Sequence, residues 1–153
     1  MGGRATPGRG VNEVTRTARR TEESADGRGT RVKQTLFIED HALFRKSLAL
    51  LLEWQLGLES VEAGSLAEGR LILSAVNGTT DFAIIDLDLP DGDGSELIEQ
   101  LHETKPDVPI LALTADRSLV KLARALEAGA DEALAKVTPA EEIIGAVKRL
   151  LFE

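Results

Sequence analysis

Phe82-Ala83-Ile84-Ile85-Asp86-Leu87-Asp88-Leu89-Pro90-Asp91-Gly92-Asp93-Gly94 is an apolar run that ends on an aspartate and breaks into a loop of proline, glycine and further acids. A short apolar run bounded by turn formers has the signature of a buried strand, and the break places Asp86 at its tip. In an α/β sheet, ligand sites lie outside the carboxyl ends of the parallel strands. Asp86 is therefore the candidate for the chemistry.

Working outward, other strand tips carry reactive groups. Thr35-Leu36-Phe37-Ile38 runs into Glu39-Asp40, Pro109-Ile110-Leu111-Ala112-Leu113 into Thr114-Ala115-Asp116, and Ala133-Leu134-Ala135 into Lys136. An ammonium at such a tip is a compact point charge suited to an anion.

Strands are expected at about 34–38, 58–62, 82–85, 109–113 and 131–135, alternating with helices at 42–56, 65–76, 93–103, 117–127 and 139–151. Ser65-Leu66-Ala67-Glu68 supplies a capping box, Gly129 a stop, and Thr138-Pro139 a cap with proline at the first helical position. The pattern predicts an α/β fold, a doubly wound (βα)5 domain over 34–153 with a five-stranded parallel sheet. Leu43, Phe44, Leu48, Leu51, Leu52 and Trp54 form an apolar stripe on the first helix, which is expected in the core.

The length of 153 residues bounds one domain, and 42% hydrophobic content suffices for a core. Without cysteine, disulfides, thiolate metal sites and thiol catalysis are excluded, so any metal must be held by oxygen. No apolar stretch approaches the roughly 18 to 20 residues that span a bilayer, and the N-terminus has no apolar signal core. A cytoplasmic protein without membrane insertion is expected.

Residues 1–33 hold eight basic and four acidic side chains, against ten and twenty-two in 34–153. The first stretch, rich in Gly, Arg, Thr and Ser, is expected to be a disordered basic tail; its composition is also that of upstream sequence read in frame, with translation starting at Val32. The acidic body argues against direct nucleic acid binding, which needs clustered Lys and Arg.

Carboxylates gathered on neighbouring strand ends repel unless a cation neutralises them, and Mg2+, a hard ion with oxygen ligands, suits such a site. Lys136 offers a second positive charge, Thr114 a hydrogen-bond donor, and Asp86 a nucleophile of the kind that forms acyl phosphates. Glu39-Asp40, Asp86 with its Leu-Pro-Asp-Gly loop, Thr114-Ala115 and Lys136 together resemble the receiver domain of bacterial two-component response regulators, over essentially all of 34–153. The resemblance is strongest to receivers that precede a helix-turn-helix output domain. Since the chain ends on the fifth helix, a stand-alone receiver is expected.

The resemblance implies a flavodoxin-like fold and a phosphoacceptor signalling module, not a turnover enzyme. Asp86 would take a phosphoryl group from a histidine kinase or a histidine phosphotransfer protein, and Asp40 would ligate Mg2+ with Glu39 acting through water. The Asp88 backbone carbonyl would be a further ligand. Lys136 would pair with phosphoryl oxygens, and Thr114 would move to them, altering a face for an unknown downstream protein. A relay role, passing the phosphoryl group on, is the other use. Asp88 and Asp116 would tune hydrolysis, and a monomer or weak homodimer is expected.

Two positions depart from the family. Ala133 stands where an aromatic switch residue is usual, and Val137 replaces the proline after the lysine. Ala133 keeps open a degenerate receiver acting without phosphate. Ile85-Asp86-Leu87-Asp88 also resembles the Asp-x-Asp motif of haloacid-dehalogenase phosphatases, which place it on the first strand. Asp88, Asp91 and Asp93 are out of step with a calcium loop and are expected to be loop and cap residues; His41 and His102 are expected at the surface.

Overall fold

Apolar strands and amphipathic helices alternate as the sequence period requires: β1 (Gln34–Ile38), α1 (Ala42–Leu56), β2 (Glu59–Ala63), α2 (Leu66–Leu73), β3 (Phe82–Asp86), α3 (Ser95–Thr104), β4 (Ile110–Thr114), α4 (Leu119–Ala128), β5 (Glu132–Ala135) and α5 (Ala140–Phe152). The structure, a computed structural model, describes residues 31–75 and 79–153. The expected tail falls almost wholly on residues outside the described ones, as does the expected end of the second helix at 76.

The five strands are parallel in the order β2-β1-β3-β4-β5. The chain steps outward from β1 to β2, then crosses back to β3 on the other side of β1. This reversal opens a crevice at the carboxyl ends of β1 and β3, the usual ligand position of such sheets. The register pairs Ile38 with Ile85, so Glu39 and Asp86 leave their strands side by side.

Alternate side chains of each strand feed two cores. Leu36, Ile38, Ile85 and Ile110 pack with Leu66, Leu97, Leu101 and Ala125 of α2, α3 and α4. Phe37, Phe82, Ile84 and Leu111 pack with Leu48 and Leu52 of α1 and with Ile143 and Val147 of α5. Burial on both faces explains why β3 and β4 are continuous apolar runs rather than alternating ones.

The apolar stripe of α1 is corrected by its geometry. Trp54 is 81% exposed, with Leu43 and Leu50 also exposed, whereas Leu48, Ala49 and Leu52 are buried. At 100° per residue, Leu43, Leu50 and Trp54 lie on the side opposite Leu52, and one helix can turn only one side to a sheet. Pro139 is also displaced from its expected place: it is the N-cap of α5, and the helix begins at Ala140.

The segment after β3 is more ordered than a plain loop. Asp88–Leu89 pairs antiparallel with Gly92–Asp93, placing Asp88 directly opposite Asp93. Asp91 accepts hydrogen bonds from Leu66 N–H and Ala67 N–H at 2.8 and 3.0 Å, closing the first turn of α2. Ser65 Oγ accepts from Glu68 N–H at 3.1 Å, while Glu68 reaches back to Gly64 N–H, one residue before the usual capping-box partner. Asp93 accepts from Ser95 N–H at 2.9 Å at the start of α3. These acids are cap residues, as expected.

Gly94 marks where this ribbon folds onto β3. A Cβ there would stand 2.0 Å from the Asp86 carbonyl oxygen, so only glycine lets the chain pass. Gly94→Ala must push the Asp86 backbone aside, and the overpacking is expected to cost on the order of 2–3 kcal/mol. A lowered urea midpoint at unchanged slope checks this.

Candidate functional site

The site is assembled by strand ends. Glu39 continues the β1 ladder, its N–H donating to Ala63 O at 2.9 Å, and its side chain is fully buried. Glu39 Oε2 accepts from Lys136 Nζ at 2.8 Å and from His41 N–H at 2.9 Å. Asp86, also fully buried, has Oδ1 accepting from Asp88 N–H at 2.9 Å and Oδ2 at 3.5 Å from Lys136 Nζ. Asp40 is exposed at the rim.

Lys136 follows β5, whose end is set by Lys136 N–H donating to Thr114 O at 2.8 Å. Its Nζ lies 5.2 Å from the centroid of the Phe44 ring on α1, a cation–π contact on its apolar side. Thr114, buried at the end of β4, donates from Oγ1 to Asp88 Oδ2 at 3.2 Å, and Ala115 N–H donates to the same oxygen at 2.9 Å. Glu39, Asp40, Asp86, Asp88, Thr114 and Lys136 thus converge on one edge. Asp116 stands outside this cluster, exposed, with Oδ2 at 3.4 Å from Lys121 Nζ.

Electrostatics follow from this crowding. Burial pushes the Asp86 carboxyl up to about 7; Glu39 and Asp88 add to the rise, while the Asp88 N–H bond and Lys136 oppose it. Burial pulls the Lys136 ammonium down, but its hydrogen bond to Glu39 and the nearby Asp86 outweigh this and leave its pKa raised. Burial likewise acts upward on Asp88, yet its hydrogen bonds from Ala115, Lys121 and Thr114 bring it below the usual carboxylate value.

The residues fit a divalent cation. Carboxylate oxygens of Glu39, Asp40 and Asp86 lie within 4.8 Å of one another. Glu39 Oε1 is buried with no hydrogen-bond partner, an arrangement that costs free energy unless a cation or its water shell meets it. Ionised, three carboxylates against one ammonium leave two negative charges, which one divalent cation would neutralise. An all-oxygen donor set suits a hard ion.

Comparison with known proteins agrees with this geometry. A family model described as the response regulator receiver domain matches residues 35–148. The chain belongs to this family. It is 33% identical over 115 residues to the photosynthetic apparatus regulatory protein RegA of Cereibacter sphaeroides, covering 75% of this chain and 61% of that one. It is 31% identical over 116 residues to the response regulator protein VraR of Staphylococcus aureus, covering 76% and 55%. The chain thus spans somewhat over half the length of these relatives.

Among solved structures, a receiver domain protein from Methanospirillum hungatei superposes with a TM-score of 0.72 at 28% identity, over 78% of this chain and 94% of that one. A response regulator from Burkholderia pseudomallei, solved with a phosphorylated aspartic acid, a calcium ion and citrate, has a TM-score of 0.67 at 31% identity, over 78% and 67%. The receiver is a phosphoacceptor signalling module of two-component systems, with the flavodoxin-like fold. The haloacid-dehalogenase alternative is not favoured, since Asp86 ends the third strand, nor is the degenerate receiver. No helix among the described residues is long and apolar enough to cross a membrane.

Ala133 is half-buried on β5 in register with Ala112, packed against the α2–α4 core with no ring to move. Two functional neighbours escape sequence reasoning. Lys121 of α4 pairs with Asp88 at 2.7 Å, and Phe44 shields Lys136; only the tertiary fold joins positions so far apart in the chain.

The buried Asp86 charge generates a stability prediction for the metal-free protein. With its folded value raised to about 7, the native state holds a proton that the unfolded chain has released above the ordinary value of 3.8. Stability in EDTA therefore falls as pH rises across that window. Asp86→Asn removes the charge and is expected to raise stability by on the order of 1–2 kcal/mol at pH 8, with the pH slope flattened. Urea titrations at pH 5 and pH 8 check both.

Proposed function

We propose that Asp86 is the phosphoacceptor. One Oδ attacks the phosphorus of a phosphohistidine on a histidine kinase or histidine phosphotransfer protein; the P–N bond breaks and the imidazole leaves as the neutral ring after taking a proton. The observation that carries this reading is a buried carboxylate at the switch point of the sheet with Lys136, Thr114 and the Glu39–Asp40 pair around it. Lys136 turns from Glu39 and Asp86 to the incoming phosphoryl oxygens. Thr114 supplies a hydroxyl donor to them.

Glu39, Asp40 and Asp86, with the backbone carbonyl of Asp88, are the groups that would hold Mg2+, which when bound supplies positive charge to the transferring group. Asp88 and Asp116, paired with Lys121 beside the site, tune the lifetime of the acyl phosphate. The response is an altered face for a downstream protein on α4, β5 and α5, or transfer of the phosphoryl group along a relay.

Acetyl phosphate with Mg2+ is expected to add one phosphoryl group, read by intact mass, and Asp86→Asn to abolish it because the amide is no nucleophile. Undiminished labelling of Asp86→Asn overturns the assignment. Asp40→Ala is expected to weaken Mg2+ binding about tenfold or more, and more than Glu39→Ala, since a direct ligand outweighs one acting through water. Titration calorimetry of the two variants checks the order.

A further inference from the structure

Asp88 and Asp93 stand opposite each other on the two-stranded ribbon after β3, a like-charge juxtaposition that is unfavourable by itself. The neighbouring helix α4 answers it with two cations one turn apart. Lys121 Nζ lies 2.7 Å from Asp88 Oδ1, and an Arg124 guanidinium nitrogen 3.0 Å from Asp93 Oδ2. The first turn of α4 is thereby fastened to the loop that carries the phosphoacceptor. The other oxygen of Asp88 takes the Thr114 hydroxyl and the Ala115 N–H. Asp88 thus already fills, with an internal carboxylate, donors that a second anion at the site would seek.

We propose that the Asp88–Lys121 pair is a latch that holds α4 against the ribbon while Asp86 is unmodified, and that a phosphoryl group on Asp86 opens it. The opening of the latch rests on the phosphoacceptor reading of Asp86. A phosphoryl group brings about two negative charges and several strong acceptors. Asp88 N–H already bonds to Asp86 Oδ1, so the new charge arrives beside the Asp88 carboxylate. It repels that carboxylate and competes for Thr114 and Ala115. Lys121 then loses its shorter contact and keeps only Asp116, 3.4 Å away, so the first turn of α4 is loosened while Arg124 and the buried Ala125 hold the rest of the helix.

The pair is suited to switching. Its side chains are 39% and 30% exposed, so water screens the attraction and the contact is weak enough to exchange. Lys121, Arg124, Asp88, Asp93 and Asp40 line a cavity of about 430 Å3, which gives the side chains room to swing. The outer surface of α4 bears exposed Leu119, Val120 and Leu126, so release of its first turn changes how an apolar face is presented. The latch acts through charge, and so needs no ring at Ala133.

Hydrogen–deuterium exchange of peptides covering 117–128 in the full chain tests this, with intact mass recorded on the same samples. Unmodified Lys121→Gln is expected to exchange about three- to tenfold faster than wild type in this segment, and Lys121→Arg at the wild-type rate. Acetyl phosphate with Mg2+ is expected to bring wild type to the rate of Lys121→Gln and to leave that variant unchanged. Equal exchange of unmodified Lys121→Gln and wild type overturns the latch. A wild-type protein that gains the phosphoryl mass without faster exchange overturns its coupling to Asp86. No gain in mass overturns the phosphoacceptor reading, and the coupling with it, while the comparison of unmodified proteins still judges the latch.

Discussion

Two carboxylates, Glu39 and Asp86, lie side by side out of water with a single ammonium between them. Removing such charges from water costs several kcal/mol each unless partners compensate, and one lysine compensates only part of that. The remainder is carried by the fold. Parallel strands on both sides of β1 and β3 hold the backbone N–H groups of His41 and Asp88 against the carboxylate oxygens, and the two apolar cores keep the strands together. The site is a strained balance of charge that a divalent cation or a transferred anion can shift.

The surroundings of Asp86 show how closely that balance is tied to backbone geometry. Gly94 passes over the Asp86 carbonyl where no side chain fits, and the ribbon it closes places Asp91 on the first turn of α2 and Asp93 on that of α3. Acids after β3 therefore serve three helices, since α4 reaches the same ribbon through Lys121 and Arg124. Displacement of the loop after β3 would be felt by every helix on that side of the sheet. The opposite layer touches the site through α1, with Phe44 over Lys136 and Arg45 donating to the Glu39 carbonyl oxygen.

Membership of the receiver family accounts for the fold and the converging strand ends, and Ala133 is one of the two positions, with Val137, read from the sequence as departures from the resemblance. With a methyl group there, packed against the core, no ring is available to couple the site to the α4 face. Charge is the remaining means of coupling close at hand. The acidic ribbon and the basic turn of α4 meet within hydrogen-bonding distance of Thr114, so polar contacts here occupy the place between site and surface that packing fills elsewhere in the domain.

Local signals in the sequence determined the order of strands and helices, the caps at Ser65 and Gly129, and which residues stand at strand tips, because hydrophobic period and turn chemistry depend on near neighbours. Asp86, Thr114 and Lys136 were legible for that reason, each ending an apolar run. The stripe on α1 was legible only as apolar: Leu43 and Trp54 have the composition of a core but lie on the side turned away from the sheet. Tertiary structure alone decided that side, and it alone brought Lys121 to Asp88 across 33 positions and Phe44 to Lys136. Those contacts follow from strand order and from the space left between helices, neither of which any local stretch of chain encodes.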